Sequence, residues 1–306
     1  QDVKIPSSTG FGSMMVNSGH ITNEGLELTG KFYVLQNTPL KWNIDANISF
    51  NRNRIGGLKA DQFAQKLWSS ADEVFIQRNG CPIGAIYGYV EDGFYDNLAE
   101  VMASPSADIR AKGAGMIGEI KYRNFDDNPD ITSADRVIIG DTNPDFVYGL
   151  TSNFEWKGVT LSFFLQGSQG NDIFNGNLMD MKMGNVGNIT REAYNTRWTE
   201  ANAAQAKWPK AVSGYERNML ISNRYVEDGS YLKLKSLNIG YVWKPNFKGI
   251  SNVNVYASAT NLFTITGYSW FDPEVNAFGS DASRRGVDVY SYPSSRTFSL
   301  GIKVDF

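Results

Sequence analysis

The sequence predicts an all-β protein that forms part of a large antiparallel transmembrane β-barrel. Three observations predict it: segments that alternate between apolar and polar residues, connections that alternate short and long, and aromatic residues gathered at the short connections. The alternation is clearest over 296–306, where Phe298, Leu300, Ile302, Val304 and Phe306 interleave with Thr297, Ser299, Gly301, Lys303 and Asp305. Successive strand side chains point to opposite faces, so this segment has one oily face and one wet face. About ten residues at roughly 3.3 Å each make about 33 Å, which at a tilt of about 40° crosses an apolar band roughly 25 Å tall.

Residues 1–18 are rich in Ser, Gly and Asn and read as a loop. A first strand is expected over 19–35, with Leu26, Leu28, Phe32 and Val34 against Glu27, Thr29 and Lys31. The short turn 36–39 leads to a second over 41–51, where Trp42, Ile44, Ala46, Ile48 and Phe50 alternate with polar residues. A long excursion over 53–144 follows, with a short helix expected at 61–69. A third strand over 145–156 carries Phe146, Tyr148, Leu150, Phe154 and Trp156 on one face. Lys157-Gly158 joins it tightly to a fourth over 159–166 with Val159, Leu161, Phe163 and Leu165. The second excursion, 167–229, contains an expected helix from Thr190 to before Pro209. In the fifth strand, 230–243, the apolar phase shifts from Leu232 and Leu234 to Leu237, Ile239, Tyr241 and Trp243, which predicts a β-bulge near Lys235-Ser236. A turn around Pro245 precedes a sixth strand over 252–264, and a third excursion over 265–295 precedes the last, 296–306.

Alternating tight turns and long loops are the pattern of an outer-membrane barrel. Tyr33, Trp42, Trp156, Trp243, Phe247 and Phe306 crowd the short-turn ends, as an interfacial aromatic girdle would. Loops this long are uncommon in compact soluble domains. Seven strands are too few and odd in number for a bacterial barrel, and an open sheet would leave unpaired edges in lipid. The chain is therefore expected to be one piece of a larger barrel, opening at Gln1 inside an external loop where the parent could have been cut.

Bulk properties agree. The 306 residues carry a net charge of −3, so nothing points to a nucleic-acid partner. No apolar run approaches the roughly 18 residues of a transmembrane helix, which leaves a barrel open because alternating strands average to a polar hydropathy. The single Cys81 forms no internal disulfide. The single His20 stands near a strand start without a nucleophile motif, and no local pattern among the 32 acids selects a carboxylate pair, so no catalytic site is expected.

Several blocks resemble the SusC-like TonB-dependent outer-membrane transporters: residues 23–28, NEGLEL; 42–51, WNIDANISFN; 139–149, IGDTNPDFVYG; and 166–174, QGSQGNDIF. So do 228–235, DGSYLKLK; 260–263, TNLF; 272–276, DPEVN; and 293–298, PSSRTF. The resemblance runs over nearly the whole chain and implies the C-terminal portion of a barrel of about 22 strands whose lumen holds a plug. It implies as partners the N-terminal remainder with plug and earlier strands, a SusD-like surface lipoprotein, TonB acting through the plug, and outer-membrane lipid. It also implies import of an oligosaccharide or an oligopeptide across the bacterial outer membrane. A surface barrel that only binds, or a soluble β-rich carbohydrate-binding protein, are the alternatives.

The resemblance also points to an acidic loop as a candidate Ca²⁺ site. Asn124, Asp126, Asn128, Thr132 and Asp135 keep oxygen side chains at calcium-loop spacing, while Pro129 replaces the glycine of the turn and Asp135 the longer glutamate. For cargo, Trp68, Trp198 and Trp270 offer faces that could stack on sugar rings or apolar side chains, as could Trp208, Tyr268 and Phe271. Asn171 and Asp172, just past the external end of the fourth strand, are candidates to line the mouth.

Overall fold

A computed structural model describes residues 2–4, 6–15, 19–66, 73–183, 188–212, 217, 220–246 and 249–306. Its frame is a seven-stranded, wholly antiparallel sheet. The strands are β1 (His20–Leu35), β2 (Leu40–Gly56), β3 (Phe146–Trp156), β4 (Val159–Gln169), β5 (Tyr231–Trp243), β6 (Asn252–Thr266) and β7 (Thr297–Asp305). Sequence neighbours pair throughout, so β1 and β7 are the two edges.

Register turns the alternation of each strand into two continuous faces. Phe32 lies opposite Ile44, Phe154 opposite Trp42 and Leu161, Ile239 opposite Leu161 and Ala257, and Ile302 opposite Val255. That face stays open: Leu300 is 87% exposed and Ile302 70%. The other face carries Lys31 against Asp45, Asn43 against Asn153, Ser162 against Asn238, and Asn254 against Lys303. Aromatic rings fill the gaps left by glycine across strands: the Tyr148 ring covers Gly167, and the Tyr256 ring covers Gly301, so closely that an added Cβ would lie 2.2 Å from either ring.

Local chemistry explains the joints. In the Lys157-Gly158 turn both residues adopt positive φ, 47° and 88°, the two-residue hairpin geometry that matches strand twist. The phase change in β5 is a bulge: Leu234 and Ser236 pair with β4 and β6 while Lys235 is skipped. Asn261 of β6, at φ 52°, is passed over opposite it. Trp42, Phe154, Trp156, Tyr241 and Trp243 gather at the short-turn end of the apolar face. Tyr33 is at that level but faces the other way, opposite Asn43 and under the Lys31 ammonium at 5.6 Å. Phe247 lies outside the described residues.

The long excursions are not separate flaps. In the first, Gln62–Lys66, Glu73–Gln77, Ala85–Gly88 and Val137–Asp141 form a four-stranded sheet. In the second, Asp172–Asn175 pairs with Val226–Asp228 and, in parallel, with Val287–Asp288 of the third. First and second are tied by Tyr89 N–H to Ile221 O (2.8 Å) and Asn223 N–H to Tyr89 O (3.0 Å). One hydrophobic core draws on all three: Phe75, Ile86 and Tyr122 from the first, Phe174, Trp208 and Tyr225 from the second, Val287 from the third. The result is a folded lobe beside the long-loop ends of the strands.

Two expected helices differ in the structure. Residues 62–66 are a strand, not helix, because Phe63 packs on Tyr87 (5.9 Å) and the backbone pairs with Glu73–Gln77. The helix expected from Thr190 to before Pro209 is only Arg191–Thr196, capped by Thr190 Oγ1 accepting from Ala193 N–H at 3.1 Å. Beyond it the chain turns back on itself, Trp198 N–H donating to Trp208 O at 2.7 Å, which buries both indoles in the lobe.

Candidate functional site

Where the polar face meets the lobe, two adjoining cavities of about 550 and 310 Å³ share Pro144, Val147 and Arg285. The first is walled by Glu27 of β1 and by Ser49 and Asn51 of β2. Gln166 and Ser168 of β4, Asn171, Tyr231, Glu274 and Asn276 wall the second. Strand alternation explains the lining, since all these strand residues are on the polar side of the sheet.

Ion pairing fixes the floor. Lys233, 1% exposed, donates to Asp272 Oδ1 (2.8 Å) and Oδ2 (3.1 Å) and to Glu274 Oε2, which also accepts from Lys235 Nζ at 2.7 Å. Tyr231 donates its hydroxyl to Glu274 Oε1 at 3.1 Å, and Ser294 N–H donates to Asp272 Oδ2 at 3.3 Å. Burial pushes the Asp272 and Glu274 carboxyls up, but the lysine hydrogen bonds and charges outweigh it and hold both below the usual range. Residues 272–276, expected in an external loop, are thereby drawn back against β5. On the opposite side Asn143 Nδ2 donates to Ile83 O and Asp141 Oδ1, both at 2.7 Å, and its Oδ1 accepts from Asn53 Nδ2 at 3.0 Å. Segments 139–149, 166–174, 228–235 and 272–276, far apart in the chain, thus converge on one cleft.

Of the residues expected to contact cargo, Asn171 lines the cleft, its Oδ1 accepting from Ser168 Oγ at 2.7 Å. Asp172 beside it is turned to the lobe, accepting from Asp141 N–H at 2.8 Å, and burial raises its carboxyl above the ordinary value. Trp198 is buried with its Nε1–H given to Asp96 Oδ1 at 2.9 Å, so its ring is not presented for stacking. Trp270 packs edge-on against Phe271 at 5.2 Å. Trp68 lies outside the described residues.

The acidic loop is held by its own hydrogen bonds. Asp135 is fully buried; Oδ1 accepts from Phe125 N–H at 2.8 Å and Oδ2 from Thr132 N–H at 2.7 Å. Asn124, Asp126 and Asn128 each accept from the backbone two residues on, at 3.0, 2.8 and 3.1 Å. Thr132 caps the turn that follows, its Oγ1 accepting from Ala134 N–H at 3.2 Å. Among the described residues no three His, Cys, Asp or Glu side chains are grouped to hold a metal.

The charge cluster and Arg285 were not among the residues singled out in the sequence. The lysines and the acids that bind them stood inside two of the recognised blocks, but nothing local says that the blocks touch.

No protein-family model matches the chain. It is 33% identical to TonB-dependent receptor P3 of Formosa agariphila, over 99% of this chain and 30% of that protein. It is 27% identical to TonB-dependent receptor SusC of Bacteroides thetaiotaomicron, over 99% of this chain and 28% of SusC. Among solved structures, the RagAB peptide transporter superposes over 100% of this chain and 31% of its own with a TM-score of 0.73 at 23% identity. The RagAB peptide importer in its open-open state gives 0.74 at 22%. At those identities the structures show a shared fold. The chain spans about 30% of the length of the receptors it matches.

Proposed function

We propose, from the premise that this chain is a segment of a SusC-like TonB-dependent transporter, that the intact protein imports a nutrient oligomer across the bacterial outer membrane. The apolar face of the seven-stranded sheet faces lipid and the polar face lines the lumen. β1 and β7 pair with strands from the remainder of the transporter, because an open edge would leave N–H and C=O groups unpaired in hydrocarbon at several kcal/mol each. A plug in that remainder couples the barrel to TonB, and a SusD-like lipoprotein closes over the lobe. The protein binds and releases cargo without making or breaking a bond in it.

One observation carries this reading: a continuous apolar sheet face opposite a continuous polar one, with a built polar cleft at the lobe end. Uptake of labelled oligosaccharides and oligopeptides by cells carrying the intact transporter and its lipoprotein tests it. Uptake that stops when TonB is deleted is the expected result. An intact protein that fractionates as soluble, or uptake of every probe unchanged without TonB, overturns it.

A further inference from the structure

We infer that Arg285 is an oxyanion-recognition point in the cleft, so that the cargo carries a carboxylate or a sulfate ester. This rests on the import reading above and deepens it. Two consecutive arginines behave differently. Arg284 folds back on Asp281, Nε to Oδ2 at 2.6 Å, and covers the Phe278 ring at 5.0 Å. Arg285 is exposed, has no hydrogen-bond or ion-pair partner among the described residues, and borders both cavities.

Its backbone is nonetheless pinned. On one side stands the turn Ala282–Arg284, capped by Asp281 Oδ1 accepting from Ser283 N–H at 3.0 Å. On the other, Gly286 O accepts from Phe174 N–H at 2.9 Å, and Val287 is fully buried in the lobe core. The fixed backbone keeps the root of this uncommitted side chain at the cleft, which lowers part of the ordering cost of binding.

The acids nearby do not satisfy it. Glu274 is taken by Lys233, Lys235 and Tyr231. Glu27, on the far wall of the larger cavity, accepts from Ser49 Oγ at 3.4 Å. The guanidinium fork matches a planar carboxylate or a sulfate with two parallel hydrogen bonds. Asn51, Gln166, Asn171 and Asn276 supply amide donors and acceptors around it. Such a lining suits a polar chain bearing an anionic group.

The test is calorimetric binding to the intact transporter with its lipoprotein in detergent. The probes are a tetrapeptide with free or amidated C-terminus, and a tetrasaccharide that is uronic, sulfated or neutral. Arg285→Ala should weaken the anionic probes about tenfold or more while moving the neutral ones less than about twofold, and Arg285→Lys should recover part of the loss. Preference within the anionic set separates peptide from acidic sugar as the source. An equal loss for anionic and neutral probes, above all with a fall in thermal stability, assigns Arg285 to holding the plug or lobe and overturns the proposal. So does failure of every anionic probe to bind the wild type. Arg285-dependent binding without TonB-dependent uptake would sustain this site while removing the import reading.

Discussion

Trp42 donates its indole N–H to Ser152 Oγ at 2.9 Å. Ser152, 2% exposed, is a polar break in the apolar run of β3, and the Trp42 ring lies flat on Phe154 at 5.3 Å beside it. The serine gives the Trp42 N–H a hydrogen-bond partner within an otherwise apolar face. Ser152→Ala in the intact transporter should cost about 1–3 kcal/mol by stranding that N–H. Ser152→Thr should cost less, because it keeps the hydroxyl. Thermal unfolding in detergent, followed by tryptophan fluorescence, distinguishes the two; equal costs would remove the hydrogen bond as the cause.

The two faces of β7 should report opposite surroundings. Spin labels at positions 302 and 303 should show high oxygen accessibility at the first and high water accessibility at the second. Ile302→Arg should cost about 2–4 kcal/mol if it sits at the bilayer midplane. Equal accessibilities would contradict the assignment of the faces.

Lys233 pairs with two carboxylates at the junction, so removing it leaves Asp272 without a cation while Glu274 keeps Lys235. Lys233→Met in the intact transporter should destabilise the lobe-to-β5 junction by about 3–5 kcal/mol. Because Asp272 and Glu274 titrate below their ordinary values, their contribution is complete above about pH 5 and is lost as pH falls through the depressed values. Hydrogen exchange over residues 268–295, relative to its intrinsic rate at each pH, should rise below about pH 4 in wild type. In the variant it should already be fast at pH 7.

One core joins the three excursions, so the lobe should unfold as a unit. Phe174→Ala removes a fully buried ring that touches Tyr225 at 6.0 Å and should cost about 3–5 kcal/mol. Limited proteolysis should then cut all three excursions together while the barrel keeps its heat-modifiable migration in gels. Cleavage confined to 170–230 would show that the excursions fold separately.

Asp135 bonds two backbone N–H groups of its own loop, so Asp135→Ala should loosen residues 124–136 by about 1–3 kcal/mol. Hydrogen exchange in calcium and in chelator should give the same protection in wild type. A calcium-dependent difference would instead assign the ion to this loop.

The sheet was legible in the sequence because period-two alternation is local: each of the seven strands carries its own two faces, and the Leu234-to-Leu237 phase change even marks the Lys235 bulge. Residues 61–69 and the stretch after Thr190 misled for the complementary reason. Their local pattern allowed helix, but pairing of 62–66 with Glu73–Gln77 and burial of Trp198 and Trp208 among distant partners decided the backbone. The motif blocks were visible one by one, yet only the folded chain brings Lys233 to Asp272 and sets Arg285 and Asn143 around one cavity. Loop residues carry no periodicity that states their neighbours, so the cleft exists only once 57–145, 170–230 and 267–296 share a core. Alternation along a strand determines which face is oily; which loop residue meets which is settled by tertiary packing alone.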